Sequence, residues 1–283
     1  MMKYRIIADS GCDLFSKDLS DETIDFITVP LTIAVGEQNF LDEESFDIRE
    51  LLAAMKAAKG ASKTACPSPQ AFEDEMDAYD NVICVTLSSK LSGTYDSASL
   101  AMRSVKERYP EKNIFVLDSF SASAGIDRIL HELSGLIKSG LYTFDEIAER
   151  ITQFRNSSKT KFMLHDLGNL IKSGRMNKVV GLVASALNIK LILGDNGEGE
   201  IKMFNKILGG KKAIEKLSAY PEEKAAAGGA GMPVVISHCF NEEDAGIIKD
   251  LLEKKLGLTN VKTYLMRGIA GFYANLKGII LAY

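Results

Sequence analysis

TLSSKLSGTY, residues Thr86 to Tyr95, decides how the first half of the chain is built. An apolar run, Asn81–Leu87, leads into it, and a helix-patterned stretch, YDSASLAMRSVKERY, leaves it. Between them lie Ser88, Ser89, Ser92, Gly93 and Thr94, five small or hydroxyl residues within seven positions. A Val- and Ile-rich run that ends in such a turn and opens into a helix reads as a buried strand followed by its crossover helix. The start of that helix offers unpaired N–H groups and the positive end of its dipole to an anion. Hydroxyls add neutral donors, and Gly93 permits close backbone approach. No GxxxxGK[ST] loop occurs, so a small anionic group, carboxylate or monophosphate, fits better than a polyphosphate.

The same alternation extends outward. Tyr4–Ala8 and Ile114–Leu117 read as further buried parallel strands. Asp47-Ile-Arg-Glu50 resembles a capping box opening a helix that Gly60 would stop, and Ser68-Pro69 places a cap before a first-turn proline. Helical spacing recurs at Ile126, Ile129, Leu130, Leu133 and Ile137 up to Gly140, and Thr143–Glu146 opens the next helix. Strand and helix in alternation predict an α/β fold with a mostly parallel sheet. The polar break Asn156–Lys159 then divides the chain into an α/β domain, 1–157, and an α+β domain, 158–283. In the latter, Lys190–Leu193 and Glu200–Phe204 flank GDNGEG as a hairpin. Glu222–Pro233 reads as a flexible loop. A strand Val234–Ser237, a helix Glu242–Leu256 and a strand Val261–Leu265 follow.

Composition excludes several classes. The 283 residues are 46% hydrophobic and 25% charged, with net charge −4, so no basic field recruits nucleic acid or an anionic membrane. No stretch approaches the roughly 18 uninterrupted apolar residues of a membrane span, and the N-terminal apolar run is too short for a signal peptide. The expectation is a cytoplasmic protein without stable membrane insertion. Cys12, Cys66, Cys84 and Cys239 form no CxxC pair, and no dense carboxylate cluster suggests a metal, so no cofactor is expected.

Three strand ends carry Asp or Ser: ADSGCDL after the first strand, LSSKLSGTY, and LDSFSASAG after Leu117. Ligands of open parallel sheets bind beyond the carboxyl ends of the strands. Helix capping accounts for any one of these residues. Taken together, with more hydroxyls than caps need, they read as a pocket rim.

At these residues the chain resembles the DegV family, bacterial proteins that bind a fatty acid. Asp9-Ser10 with Asp13-Leu14 matches its opening motif, and Thr64–Pro69 resembles TSxPS. Leu91–Tyr95 matches LSGTY, Asp118-Ser119 the second DS, and Leu170–Arg175 resembles LxKGGRI. Asn188-Ile-Lys190 resembles NIKPI. The resemblance covers nearly the whole chain and implies two α/β-type domains with an acyl chain buried between or within them. It implies that Thr64 and Ser92 hold the carboxylate, with Ser10, Gly93, Thr94, Ser119 and Arg175 at the rim or facing a partner. It further implies that the acid is presented to the ATP-binding subunit of a fatty acid kinase, which forms an acyl phosphate for phospholipid synthesis. The binding protein has no complete active site of its own.

One departure stands out. The family's HxGPG is matched here by Ala274-Asn-Leu-Lys-Gly278, without His or Pro; a register one residue earlier puts Tyr273 at the His position. The three histidines lie elsewhere. His131 reads as a surface residue, His238 as a local cap, and His165, the one nearest a site, as structural ahead of functional. Arg175 suits a helix C-terminus or an anion. Cys12 and Cys66 read as packing residues. A different function, an enzyme acting on a small phosphorylated metabolite at the same strand ends, would also use Arg175.

Overall fold

The computed structural model describes residues 3–58, 62–176 and 189–283. In chain order its elements begin β1 (Tyr4–Asp9), α1 (Ser16–Leu19), β2 (Ile24–Val29), β3 (Thr32–Val35), β4 (Gln38–Leu41) and α2 (Ile48–Ala57). There follow β5 (Ser62–Ala65), α3 (Pro69–Met76), β6 (Asn81–Thr86), α4 (Thr94–Arg108), β7 (Asn113–Asp118), α5 (Ala124–Ser139) and α6 (Phe144–Ser157). Then come β8 (Thr160–Met163), α7 (Gly168–Lys172), β9 (Ile189–Asp195), β10 (Ile201–Leu208), α8 (Gly210–Ala219) and α9 (Glu222–Gly228). Last are β11 (Val234–His238), α10 (Glu242–Leu256), β12 (Val261–Leu265), α11 (Gly268–Ala274) and β13 (Ile279–Ala282).

β1 and β6 are buried along their whole length and pair in parallel at the centre of a sheet ordered β2-β1-β6-β7. Their side chains alternate between two layers, as a pleated strand requires. Ile6, Ala8, Ile83 and Val85 pack with Ile126, Ile129 and Leu130 of α5 and Ile147 and Ile151 of α6. Ile7, Val82 and Cys84 pack on the other face with Phe72 and Met76 of α3 and Ala98 and Ala101 of α4. Cover on both faces makes these strands continuous apolar runs.

Local signals close the helices. Ser68 Oγ accepts from Ala71 N ahead of α3, with Pro69 in its first turn. Thr143 and Glu146 form a reciprocal capping box, and Gly140 ends α5 at a φ of 64°. Asp47 caps α2 through Arg49 N, while Glu50 is exposed. That helix ends at Ala57, and Gly60 lies outside the described residues, as does Asn188.

The second sheet, ordered β10-β9-β8-β13-β11-β12, pairs β11 with β12 in parallel and its other neighbours antiparallel. The expected β9–β10 hairpin is present, its turn held by Asn196 N donating to Glu200 O. A third, small antiparallel sheet, β4-β3-β5, sets Thr64 opposite Ile33.

Two parts differ from expectation. Nothing in the sequence reading marked β2 to β5. Glu222–Gly228 is the helix α9 rather than loop: its consecutive alanines favour helix, and Ala225 is buried against the second core. The neighbouring glycines mark its end, Gly229 terminating the helix at a φ of 73°.

Candidate functional site: an apolar pocket with a hydroxyl end

Asp9 and Asp118 end their strands and organise the loops that follow. Asp9 accepts from Gly11 N at 2.8 Å and from Leu87 N at 2.7 Å. Asp118 accepts from Ser89 N and Phe120 N. Each carboxylate turns its own loop and ties down the β6–α4 loop beside it. Burial pushes the Asp9 carboxyl up to about 7, against the pull of those two N–H donors.

Between these loops and the second sheet lies a pocket of about 910 Å³, counting its open mouth. Leu31, Leu87, Phe162, Leu164, Ile201, Ile269 and Ile280 make it mostly apolar. Thr64, Ser92 and Arg175, all named from the sequence, line this one space. Ser92 Oγ lies 2.8 Å from the Thr94 hydroxyl. Thr94 itself is buried under the start of α4 and positions Ser92 instead of reaching a rim. Arg175 is half-buried and donates from Nε to Leu91 O at 3.0 Å, joining the α7 side of the pocket to the Ser92 loop.

The other expected rim residues have different places. Ser10 is fully buried, and its hydroxyl accepts from Leu31 N, so it faces neither pocket nor partner. Ser119 is buried and bonded to both the N–H and the carbonyl of Ser121. Gly93 is exposed with an ordinary φ of −76°, and a methyl there would meet Cys66 Sγ at 3.4 Å, a normal contact. The chain's own packing therefore does not demand glycine at that position.

Tyr273 supplies what the sequence left between two registers. Its hydroxyl is 2.8 Å from Thr64 Oγ1, and the residue lines the pocket. The register one residue before Ala274 is thus the one whose polar group reaches Thr64. Ala274 lines the pocket with a methyl alone.

Tyr273 rides on α11, whose first turn is anchored from a distant part of the chain. Asp42 accepts from Gly268 N at 3.0 Å and Ile269 N at 2.8 Å, satisfying free helix-end donors. Residue 268 must be glycine, because a Cβ there would lie 2.6 Å from the Asp42 carboxylate. Arg267 is buried; its N–H donates to Asp13, and its guanidinium to Leu14 O, Thr28 Oγ1 and Asp42 O. Asp13 in turn accepts from Ser123 Oγ, while Asp127 accepts from Asp13 N. Burial pushes Asp13 up to about 6 and Asp127 well above the usual carboxylate range.

No histidine lines the pocket among the described residues. His165 is exposed, with Nδ1 3.2 Å from Lys190 Nζ. His238 accepts from Asn241 N, the local role expected of it. His131, expected at the surface, is half-buried, with Nε2 2.7 Å from the Tyr264 hydroxyl. Burial, with Lys262 and Lys138 nearby, lowers it to about 4. All four cysteines are free, and burial holds Cys12 well above its usual range. Among the described residues no group of three or more His, Cys, Asp or Glu is placed to hold a metal ion, and no helix is long and apolar enough to cross a membrane.

Comparison with known proteins gives the family and the fold. The sequence profile of the DegV family matches residues 3–279. A DegV domain-containing protein of Streptococcus gordonii is 36% identical over 284 residues, covering 100% of this chain and 99% of that one. The crystal structure of the Streptococcus pneumoniae fatty acid kinase (Fak) B3 protein loaded with linoleic acid is similar with a TM-score of 0.92. It is 34% identical over 100% of this chain and 99% of the other. A DegV family protein from Eubacterium eligens, loaded with heptadecanoic acid, has a TM-score of 0.89 at 33% identity, covering 99% and 98% of the two chains.

Proposed function

The chain belongs to the DegV family, and from that premise we propose that it binds a long-chain fatty acid and presents the carboxylate to a separate ATP-dependent kinase. The observation that carries the reading is the pocket itself: Thr64, Ser92 and Tyr273 bring hydroxyls to a space walled mostly by aliphatic and aromatic side chains, with Arg175, Ser121, Ser123, Thr160, Asp195 and Glu200 as its other polar residues. A carboxylate taken from water must be hydrogen-bonded or it costs several kcal/mol. Hydroxyl donors hold it without forming a fixed ion pair, which leaves an oxygen able to attack a phosphate. Thr64 and Ser92 are the proposed carboxylate ligands, with Tyr273 bracing Thr64 and Arg175 at the mouth. The tail supplies most of the affinity. At about 0.8 kcal/mol per methylene, a chain of roughly 15 contributes about 12 kcal/mol gross, before the cost of association.

Kinase partnership is supported by the likeness to the fatty acid kinase B3 protein. Acyl-phosphate formation then belongs to the kinase, and this chain is a carrier in the cytoplasm. The domain division proposed is 1–157 and 158–283, at the junction of α6 and β8. A small phosphorylated metabolite would meet a mostly apolar lining that holds one cation among the described residues, Arg175, beside the acidic Asp195 and Glu200. Denaturing mass spectrometry of protein purified from a bacterial host tests the reading: a stoichiometric long-chain acid is expected, and its absence from both native and acid-reloaded protein would overturn it.

A further inference from the structure

The pocket shares one wall with a second, smaller cavity. Phe120, Ser121, Thr160 and Asp195 line both spaces. The smaller one holds about 320 Å³ with its mouth, and its far side is polar, made by Arg155, Asn156, Ser158 and Lys159.

The wall between them is braced from several directions. Ser121 Oγ and Thr160 Oγ1 are 2.8 Å apart and hydrogen-bonded, joining the loop after β7 to the first residue of β8. The Ser121 carbonyl also accepts from Ser88 N at 2.9 Å. Phe120 holds a φ of 53°, a conformation that a bulky L residue adopts only under constraint. The constraint is visible. Its N–H donates to Asp118, the Arg155 guanidinium lies 3.9 Å over its ring, and the hairpin tip at Gly199 packs against its backbone. The same guanidinium donates from Nη1 to Asp118 O at 2.8 Å, while its Nε is buried without a hydrogen-bond partner.

We propose that Phe120 and the Ser121–Thr160 pair form the stop that limits the length of the bound acyl chain, and that the cavity behind them is a latent polar extension of the same pocket. This rests on the acyl reading of the main pocket. A methyl end that passed the wall would have to break the Ser121–Thr160 bond, displace Phe120 from Arg155, and enter a space lined by Arg155, Asn156, Ser158 and Lys159, whose polar groups favour oxygen over hydrocarbon. Plain acids therefore stop at the wall. If the wall is removed, two more methylenes become enclosed, and a hydroxyl at the chain end meets polar partners.

The test is a titration of saturated acids of increasing length, with ω-hydroxy acids of matched length, against three proteins. The wild type should tighten with each methylene and then break at a defined length. Phe120→Gly, which suits the positive φ and removes the ring, and Thr160→Ala, on a different element, should each move that break to longer acids. An acid two methylenes beyond the wild-type limit should bind about tenfold tighter in the variants, and its ω-hydroxy analogue should gain at least as much. An unmoved break in whichever variant retains a wild-type melting transition would overturn the stop. A plain acid that gains more than its hydroxylated analogue would overturn the polar extension. Failure of the wild type to bind any acid would instead overturn the acyl reading.

Discussion

Thr64 and Tyr273 meet through a single hydroxyl contact, and their partner in the pocket, Ser92, is held by Thr94. Each is a small neutral donor whose loss should be felt by the ligand more than by the fold. Ser92→Ala with Thr64→Val should therefore weaken acid binding by about 1.5–3 kcal/mol per lost charge-assisted bond, with the melting temperature nearly unchanged. Unaltered affinity in a calorimetric titration would remove both residues from the head-group site. Tyr273 separates binding from turnover. Tyr273→Phe should reduce acyl-phosphate formation with a kinase of the same host more than it reduces acid affinity, since a positioned acid–base group typically contributes about 10²–10⁴-fold. Tyr273→His should retain turnover, whereas Ala274→His should add nothing. The opposite ranking would return the family's His position to Ala274. Sequence alone could not choose, because the choice depends on which of two adjacent residues faces β5.

At the scale of elements, what was legible is what is encoded locally. Buried strands such as Asn81–Thr86 and caps such as Ser68, Thr143 and Gly140 declare themselves within a few residues. The strand β5 does not. Its four residues, Ser-Lys-Thr-Ala, carry no apolar pattern and become a strand by pairing with β3. The apolar pocket is hidden for another reason: Leu87, Phe162 and Ile280 are chemically indistinguishable from core, and only the space left between sheets marks them. The DS pairs are legible as strand ends, but Asp9 and Asp118 hold loops, and Ser10 lies inside. The α11 anchor invites a test. Asp42→Asn leaves one of two helix-end N–H groups without its carboxylate oxygen, costing about 1–3 kcal/mol. Because Tyr273 rides on that helix, acid affinity should fall together with stability in denaturant titration. A stability loss with unchanged affinity would mean that Tyr273 keeps its place in the pocket without the Asp42 anchor.

For the whole molecule, the buried carboxyls set the response to pH. Asp9 is raised to about 7 from an unfolded value near 3.8, so the folded state holds its proton more tightly. The stability this proton contributes is complete below about pH 4 and lost as pH rises through about 7. His131 has the opposite sign: lowered to about 4, it favours the fold above its unfolded value of 6.5 and counts against it as pH falls below that. Between pH 8 and 6.5 the carboxyls act without that opposition, so unfolding free energy should increase as pH is lowered across this window. Asp9→Asn, which imitates the protonated acid, should flatten the slope. An equal slope in both proteins would show that Asp9 stays ionised. The Thr64–Tyr273 contact has a further bearing, on biosynthesis. Its two residues are 209 positions apart, and α11 is seated by Asp13 and Asp42 from near the other end. At about 5–20 residues per second of translation, roughly 10–40 s separate the appearance of the two hydroxyls. During that interval a nascent chain can fold its parallel sheet on the ribosome, yet it has no closed place for a lipid. On the proposed reading, capture of the acid therefore waits until α11 has emerged and docked, and an emerging chain does not sequester free fatty acid before it can hand it on.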